Sequence, residues 1–174
     1  MDFRQGLCFT VMIKPTIYIE TSFVSLLVAR PSRDILTGQR QHYSRIWWEF
    51  HRHNYTLVSS RALVEECREG DPELAARRLT ILEQATSVGE TTPQMRALQK
   101  RLVVPLGPLP ALGRTDALHL AIAAISGCTF LLTWNFTHLI NPRIRRMSDT
   151  IIRKGGYEPA QITTPDQDVE SART

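Results

Sequence analysis

Residues 116–126 are apolar on every side of a helix: Ala117, Leu118, Leu120, Ala121, Ile122, Ala123, Ala124 and Ile125 leave no polar face. A helix of that kind has to be packed nearly all round. Thr115 before it and Gly127 after it predict its cap and its stop. The material to cover it is a set of short β-rich runs, residues 17–19, 56–59 and 130–133, separated by helical patterns. Strands alternating with helices indicate an α/β fold, a parallel sheet covered by helices on both faces. A chain of 174 residues favours one domain, and a domain of this size buries about 70% of its unfolded surface without disulfides or structural metal.

That domain is expected to span residues 14–165. Residues 1–13 carry no periodicity, and Met12 stands just before the first strand; this predicts an upstream extension with Met12 as the natural start. Residues 166–174 are polar and read as a disordered tail. Between these limits, Thr21 and Ser22 can cap a short helix over 23–29 that Pro31 stops. Asp34 caps a longer one over 35–53, whose stripe of Leu36, Tyr43, Trp47 and Phe50 points to the core. Further helices are expected at 61–69, from Asp71-Pro72 onward with Ala75, Leu79 and Leu82 inward and Arg77 and Arg78 outward, and at 92–101. Residues 102–112 read as a Pro- and Gly-rich surface loop. An amphipathic helix over 142–154 turns Ile144, Met147 and Ile151 inward, and 161–163 forms a last short strand.

Composition narrows the function classes. The 21 basic and 17 acidic residues give a net charge of +4, a mild lean toward polyanions. Cys8, Cys67 and Cys128 lack zinc-ligand spacing and read as free thiols in a reducing compartment. No apolar run is long enough for a membrane span, and the N-terminal residues make a poor secretory signal. These features predict a soluble cytoplasmic protein. No Gly-rich loop joins a strand to a helix, which argues against a nucleotide-binding α/β enzyme.

Acidic residues collect at one end of the predicted sheet. Glu20 closes the first strand, where open α/β sheets bind ligands. A helix that precedes a parallel strand starts at that strand's carboxyl end. Asp116 therefore meets the same edge, and Asn135 follows the strand its helix feeds. The helix after the second strand starts there too and carries Glu65 and Glu66. These point about 100° apart, so at most one faces inward. Glu66 lies nearer the apolar side, with Glu65 in reserve. Clustered carboxylates resist joint ionisation without a cation, and oxygen donors suit Mg²⁺ or Mn²⁺. Such ions activate water and stabilise charge in phosphodiester displacement.

Four stretches together resemble the PIN-domain family, and within it the VapC-type ribonuclease toxins of type II toxin–antitoxin systems. They are Ile-Tyr-Ile-Glu-Thr-Ser (17–22), the segment 59–67 with Glu-Glu before Cys67, Thr-Asp-Ala-Leu-His-Leu-Ala-Ile-Ala (115–123), and Leu-Leu-Thr-Trp-Asn-Phe-Thr-His-Leu (131–139). The resemblance spans about 14–165 and implies a three-layer α/β/α sandwich with a mainly parallel central sheet. It also implies Mg²⁺- or Mn²⁺-dependent cleavage of RNA, a cognate antitoxin and a homodimer. Carried onto this chain, Glu20, Glu66 and Asp116 are the metal-site candidates, and Asn135 completes the catalytic set. Asp is commoner than Glu at position 20 in the family, position 135 is Asp or Asn, and some relatives have an acid where His138 stands. Asn135 can orient water or phosphate, with Ser22, Thr133 and His138 in support. His119 reads as a hydrogen-bonded core histidine. Arg143, Arg145 and Arg146, joined by Arg153 and Lys154, and Arg30, Arg33 and Arg114 across the mouth, are the candidates for RNA contact. Trp47 is expected in the core or facing the antitoxin. The second reading is a PIN-like module that binds RNA or a partner protein without cutting.

Overall fold

Successive side chains of a strand point to opposite faces, and the first strand, β1 (Thr16–Ile19), uses this to feed two cores at once. Tyr18 joins Val58, Leu131 and Ile162 on one face; Ile17 and Ile19 join Leu57 and Leu132 on the other. The computed structural model describes residues 14–103 and 112–171. Within them β1 is followed by α1 (Thr21–Val28), α2 (Ile35–Ile46), β2 (Thr56–Ser59), α3 (Arg61–Cys67), α4 (Pro72–Leu82), β3 (Thr86–Ser87) and α5 (Pro93–Val103). Then come α6 (Arg114–Ile125), β4 (Phe130–Leu132), α7 (Pro142–Lys154), β5 (Gln161–Thr163) and α8 (Pro165–Ser171). The strand order is β3-β2-β1-β4-β5 and every pairing is parallel. The chain is an α/β/α sandwich.

The all-apolar helix is α6. Ala117, His119 and residues 120–124 are buried against the Tyr18 face together with α5 and α7. Its start differs from the expectation: Gly113 is the cap, Arg114 opens the helix, and Thr115 is exposed. The opposite face is covered by Phe23, Trp47, Leu63 and Leu82. Cys67 and Cys128 are buried free thiols. No helix among the described residues is long and apolar enough to cross a membrane.

Several expectations are corrected. The stripe predicted along 35–53 has exposed ends, Leu36 at 64% and Phe50 at 65%. The buried positions are Gln41, Ser44 and Trp47, because polar groups there satisfy backbone and ring donors. Gln41 accepts from Ser32 N at 2.9 Å and donates to Arg30 O at 2.8 Å. Ser44 accepts from Trp134 Nε1 at 2.8 Å. The helix also widens into a π-helical turn, Trp47–His51, and ends in a 3₁₀ turn, Arg52–Asn54. Arg78 is turned back rather than outward, its Nε donating to Cys67 O at 3.0 Å at the end of α3. The exposed two-residue strand β3 was not expected, since nothing apolar marks it.

Leu102 and Val103 belong to α5, not to a loop; residues 104–111 of the predicted loop lie outside the described residues, as do the predicted extension 1–13 with its Met12 start, and residues 172–174. The tail expected to be disordered from residue 166 instead forms α8. Asp168 explains it: Oδ2 accepts from Trp47 Nε1 and Oδ1 from Tyr55 OH, both at 2.6 Å. Val169 is buried in the same core. Burial, followed by the hydrogen bond and charge of Asp168, pushes the Tyr55 phenol well above its usual range.

Asp168→Ala would strand a buried indole N–H and a half-buried phenol. It is expected to cost about 1–3 kcal/mol in urea unfolding and to raise hydrogen exchange across α8. A loss near zero would mean that α8 is held without this contact.

Candidate functional site

The order β3-β2-β1-β4-β5 reverses direction between β1 and β4, and open α/β sheets bind ligands beyond the strand ends at such a crossing. The ladder continues one residue past each strand: Glu20 N donates to Leu132 O and Thr133 N to Thr163 O, each at 3.1 Å. Glu20 is thereby fixed on the lip of the sheet, buried, with 5% exposure.

Glu20 itself caps α1, the place that Thr21 and Ser22 were expected to take. Its Oε2 accepts from Ser22 N at 3.0 Å, from Ser22 Oγ, and from Thr133 Oγ1 at 2.8 Å. Thr133 Oγ1 in turn accepts from Asn135 N at 3.0 Å. Asn135 Nδ2 donates to Asp116 Oδ1 at 2.9 Å, and Asn135 Oδ1 accepts from His138 N at 3.1 Å. One unbroken chain of hydrogen bonds thus runs from Glu20 through Thr133 and Asn135 to Asp116. Gly113 makes room for this last carboxylate, since a Cβ there would stand 3.1 Å from Asp116 Oδ2.

Glu66 is the inward member of its pair. Glu65 turns out to solvent and pairs with Arg61 Nε at 3.0 Å. Glu66 Oε2 accepts from Thr21 Oγ1, the neighbour of Glu20. Behind it lies a buried relay. His119 Nε2 is 3.1–3.2 Å from the Glu66 oxygens. His119 Nδ1 and Ser60 Oγ each lie 2.8 Å from Tyr18 OH. His119 is therefore hydrogen-bonded and buried as expected, with Glu66 as its partner. With neutral His119, Ser60 donates to Tyr18, Tyr18 to Nδ1, and Nε2–H to Glu66. With charged His119, Nδ1–H donates to Tyr18 and Tyr18 to Ser60, so the ring keeps its partners in both states.

These groups act on one another electrostatically. Burial pushes the Asp116 carboxyl up; nearby Glu20 and Glu66 add to the rise, while His138 and His119 oppose it. Burial works against ionisation of Glu66, but the hydrogen bond and charge of His119 outweigh it and hold Glu66 below its usual value. Burial likewise opposes charge on His119, and Glu66 outweighs it, raising the imidazole. His138 Nδ1 is buried without a hydrogen-bond partner among the described residues.

Ser22 and Thr133 meet at Glu20, Asn135 reaches Asp116, and His138 N holds Asn135. The candidate arginines take no part in these hydrogen bonds. None is among the charges acting on Asp116. Arg30 pairs with Glu73 at 3.1 Å, Arg153 with Glu158 at 3.7 Å, and Arg145 lies near Asp149. Sequence reasoning missed Tyr18, Thr21 and Ser60. A buried tyrosine needs a partner for its hydroxyl, which is the signal that would have found the first. It also missed Phe136, 45% exposed beside Asn135, with the Arg40 guanidinium 4.7 Å from its ring centre.

An oxygen-only donor set suits a hard divalent cation. Among the described residues no three His, Cys, Asp or Glu side chains stand ready to share one ion. Mg²⁺, however, takes one or two carboxylates and keeps several waters. Glu20 Oε1 and Asp116 Oδ2 accept no hydrogen bond among the described residues, so each has an oxygen to offer. The donors fit a largely hydrated ion.

No protein-family model matches the sequence, and no curated protein matches it. Solved structures do resemble the fold. Mycobacterium tuberculosis VapC20, described as a sarcin–ricin loop cleaving toxin, superposes with a TM-score of 0.54 at 16% identity, over 70% of this chain and 92% of that one. A chain of Rickettsia felis VapBC2, solved bound to a DNA fragment from its promoter, gives 0.56 at 15% identity, over 86% and 98%. The fold is PIN-like. At these identities the likeness is one of architecture, and chemistry rests on the residues described above.

The Glu66–His119 pair has a pH signature. His119, raised above 6.5, contributes stability that is complete below about pH 6.5 and lost as pH rises through its raised value. Glu66, lowered from 4.5, contributes above about pH 4.5 and loses this as pH falls through its lowered value. The wild type is expected to lose stability above pH 6.5 relative to His119→Gln in urea titrations. Parallel curves from pH 6 to 9 would contradict the pairing.

Proposed function

We propose that the chain is a Mg²⁺- or Mn²⁺-dependent endoribonuclease, the toxin of a toxin–antitoxin pair, hydrolysing RNA phosphodiester bonds in the cytoplasm. The observation that carries this reading is the hydrogen-bonded line from Glu20 to Asp116 at the sheet's crossing point, with Glu66 beside it. Support also comes from the PIN-like fold shared with a toxin described as cutting the sarcin–ricin loop. Partnership with an antitoxin, and a homodimeric toxin, follow from the VapC resemblance and belong to the same proposal.

Glu20 and Asp116 would hold the ion through their free oxygens, together with Glu66. Bound there, the cation would lower the pKa of a water and offset charge on the phosphate. The chain's own residues set the geometry. Ser22 and Thr133 hold one oxygen of Glu20 and leave the other without a donor among the described residues. Asn135 locks Asp116 in one rotamer and is itself held by His138 N. A cation beside Asp116 would lower its raised carboxyl by favouring the charged form. His119 keeps Glu66 ionised and oriented.

A second reading, an RNA- or protein-binding module that does not cut, is favoured by one observation: an amide at position 135 donates to Asp116 where a further acid could stand. The two readings part on one assay. Wild type in Mg²⁺ or Mn²⁺ is expected to cleave RNA, and Asp116→Asn to lose more than the roughly 10–100-fold typical of residues that only orient a ligand. Equal cleavage by both proteins would sink the assignment. Salt-sensitive RNA binding that yields no product, unchanged in Asp116→Asn, would establish the binding module instead.

Position 135 gives a further test. Asn135→Asp sets two carboxylates side by side, which destabilises the metal-free protein and strengthens a cation site. Mn²⁺ is expected to raise the Tm of Asn135→Asp more than that of wild type. An equal shift in both would place the ion away from Asp116.

A further inference from the structure

A second feature, on α5 and the start of α6, has the opposite charge to the acids. Arg96, Gln99, Lys100 and Val103 fall at i, i+3, i+4 and i+7 along α5 and so share one face. With Arg114 at the start of α6 they line an open cavity of about 510 Å³. Arg96, Lys100 and Arg114 are exposed. None of the three is in an ion pair among the described residues, and no acid is among the described lining residues. Gln99 Nε2 donates to Arg114 O at 2.8 Å, which ties the cationic face of α5 to the helix start that carries Asp116 two residues later. Arg114 is not among the charges that act on Asp116.

We propose that this groove is a phosphate-binding subsite that holds the backbone of single-stranded RNA flanking the acidic site. The proposal rests on the ribonuclease reading for its substrate and adds where that substrate lies. Exposed cations with no acid between them would otherwise repel one another, and a polyanion relieves this. Arg96 and Lys100 stand four residues apart, about 6 Å along the helix, so they can grip neighbouring phosphates. Arg114, at the start of the helix that also carries Asp116, adds a third cation to the same cavity. Val103 gives an apolar wall for a sugar or base, and the volume is in the range that takes one small organic unit. An acidic peptide would match the cations equally well, but only a nucleic acid strand also has business at Asp116.

The test uses fluorescence anisotropy of a short fluorescein-labelled single-stranded RNA with divalent metal chelated, so that binding is read without cleavage. Arg96→Gln with Lys100→Gln is expected to weaken binding roughly tenfold and to reduce the log–log salt slope by about 1.4, near 0.7 per lost phosphate contact. Arg96→Lys with Lys100→Arg, which keeps both charges, should bind like wild type, and all three proteins should share one Tm. Unchanged affinity and slope in the Gln variant overturn the groove. So does loss of binding to an acidic peptide while RNA binding is untouched, and so does a wild type that binds no RNA. Cleavage assays with metal restored separate the two ideas. Wild type that binds RNA through these residues and never cuts sinks the ribonuclease reading alone. Wild type that cuts, with the Gln variant binding equally well, sinks the groove alone.

Discussion

Thr133 stands where the two halves of the site meet. Its hydroxyl can donate only once, and that proton goes to Glu20 at 2.8 Å, leaving lone pairs to accept Asn135 N at 3.0 Å. That single residue couples the end of β1 to the turn after β4, and through Asn135 to the start of α6. The parallel register makes this possible: Ile19 pairs with Leu132, so Glu20 and Thr133 leave the sheet level with each other. A slip of one residue would turn both to the wrong face. The arrangement therefore depends on the alternation of Ile17, Tyr18 and Ile19 between two cores as much as on any polar contact.

Three acids, one buried and two partly buried, need compensation, and the structure supplies a different kind for each. Glu20 is held by hydroxyl and backbone donors on one oxygen. Glu66 is held by an imidazole that its own charge keeps protonation-prone. Asp116 has only an amide and weaker help from His138, and its carboxyl is the one pushed upward. The least satisfied acid is thus the one with most to gain from a cation.

Much of this was legible in the sequence because it is local. The strands, the all-apolar helix and the acids at strand and helix ends follow from periodicity and topology. Even the choice of Glu66 over Glu65 had a second signal, since Arg61 stands four residues before Glu65 and pairs with it. What was not legible depends on distant partners. The polar residues of α8 look like a solvated tail, but Asp168 meets Trp47 and Tyr55, 121 and 113 residues away in sequence. Gln41 and Ser44 interrupt an apparently apolar stripe because loop backbone and an indole need them. Glu20 as a cap escaped notice because Thr21 and Ser22 are the commoner capping types.

The central claim is that Glu20 and Asp116, from opposite sides of the β1–β4 junction, serve one ion. Mn²⁺ titration followed by electron paramagnetic resonance of the free ion tests it without any RNA. The account predicts saturable binding to wild type that is sharply weakened in both Glu20→Gln and Asp116→Asn. Binding that survives either substitution unchanged, or a wild type that takes up no Mn²⁺, would contradict it.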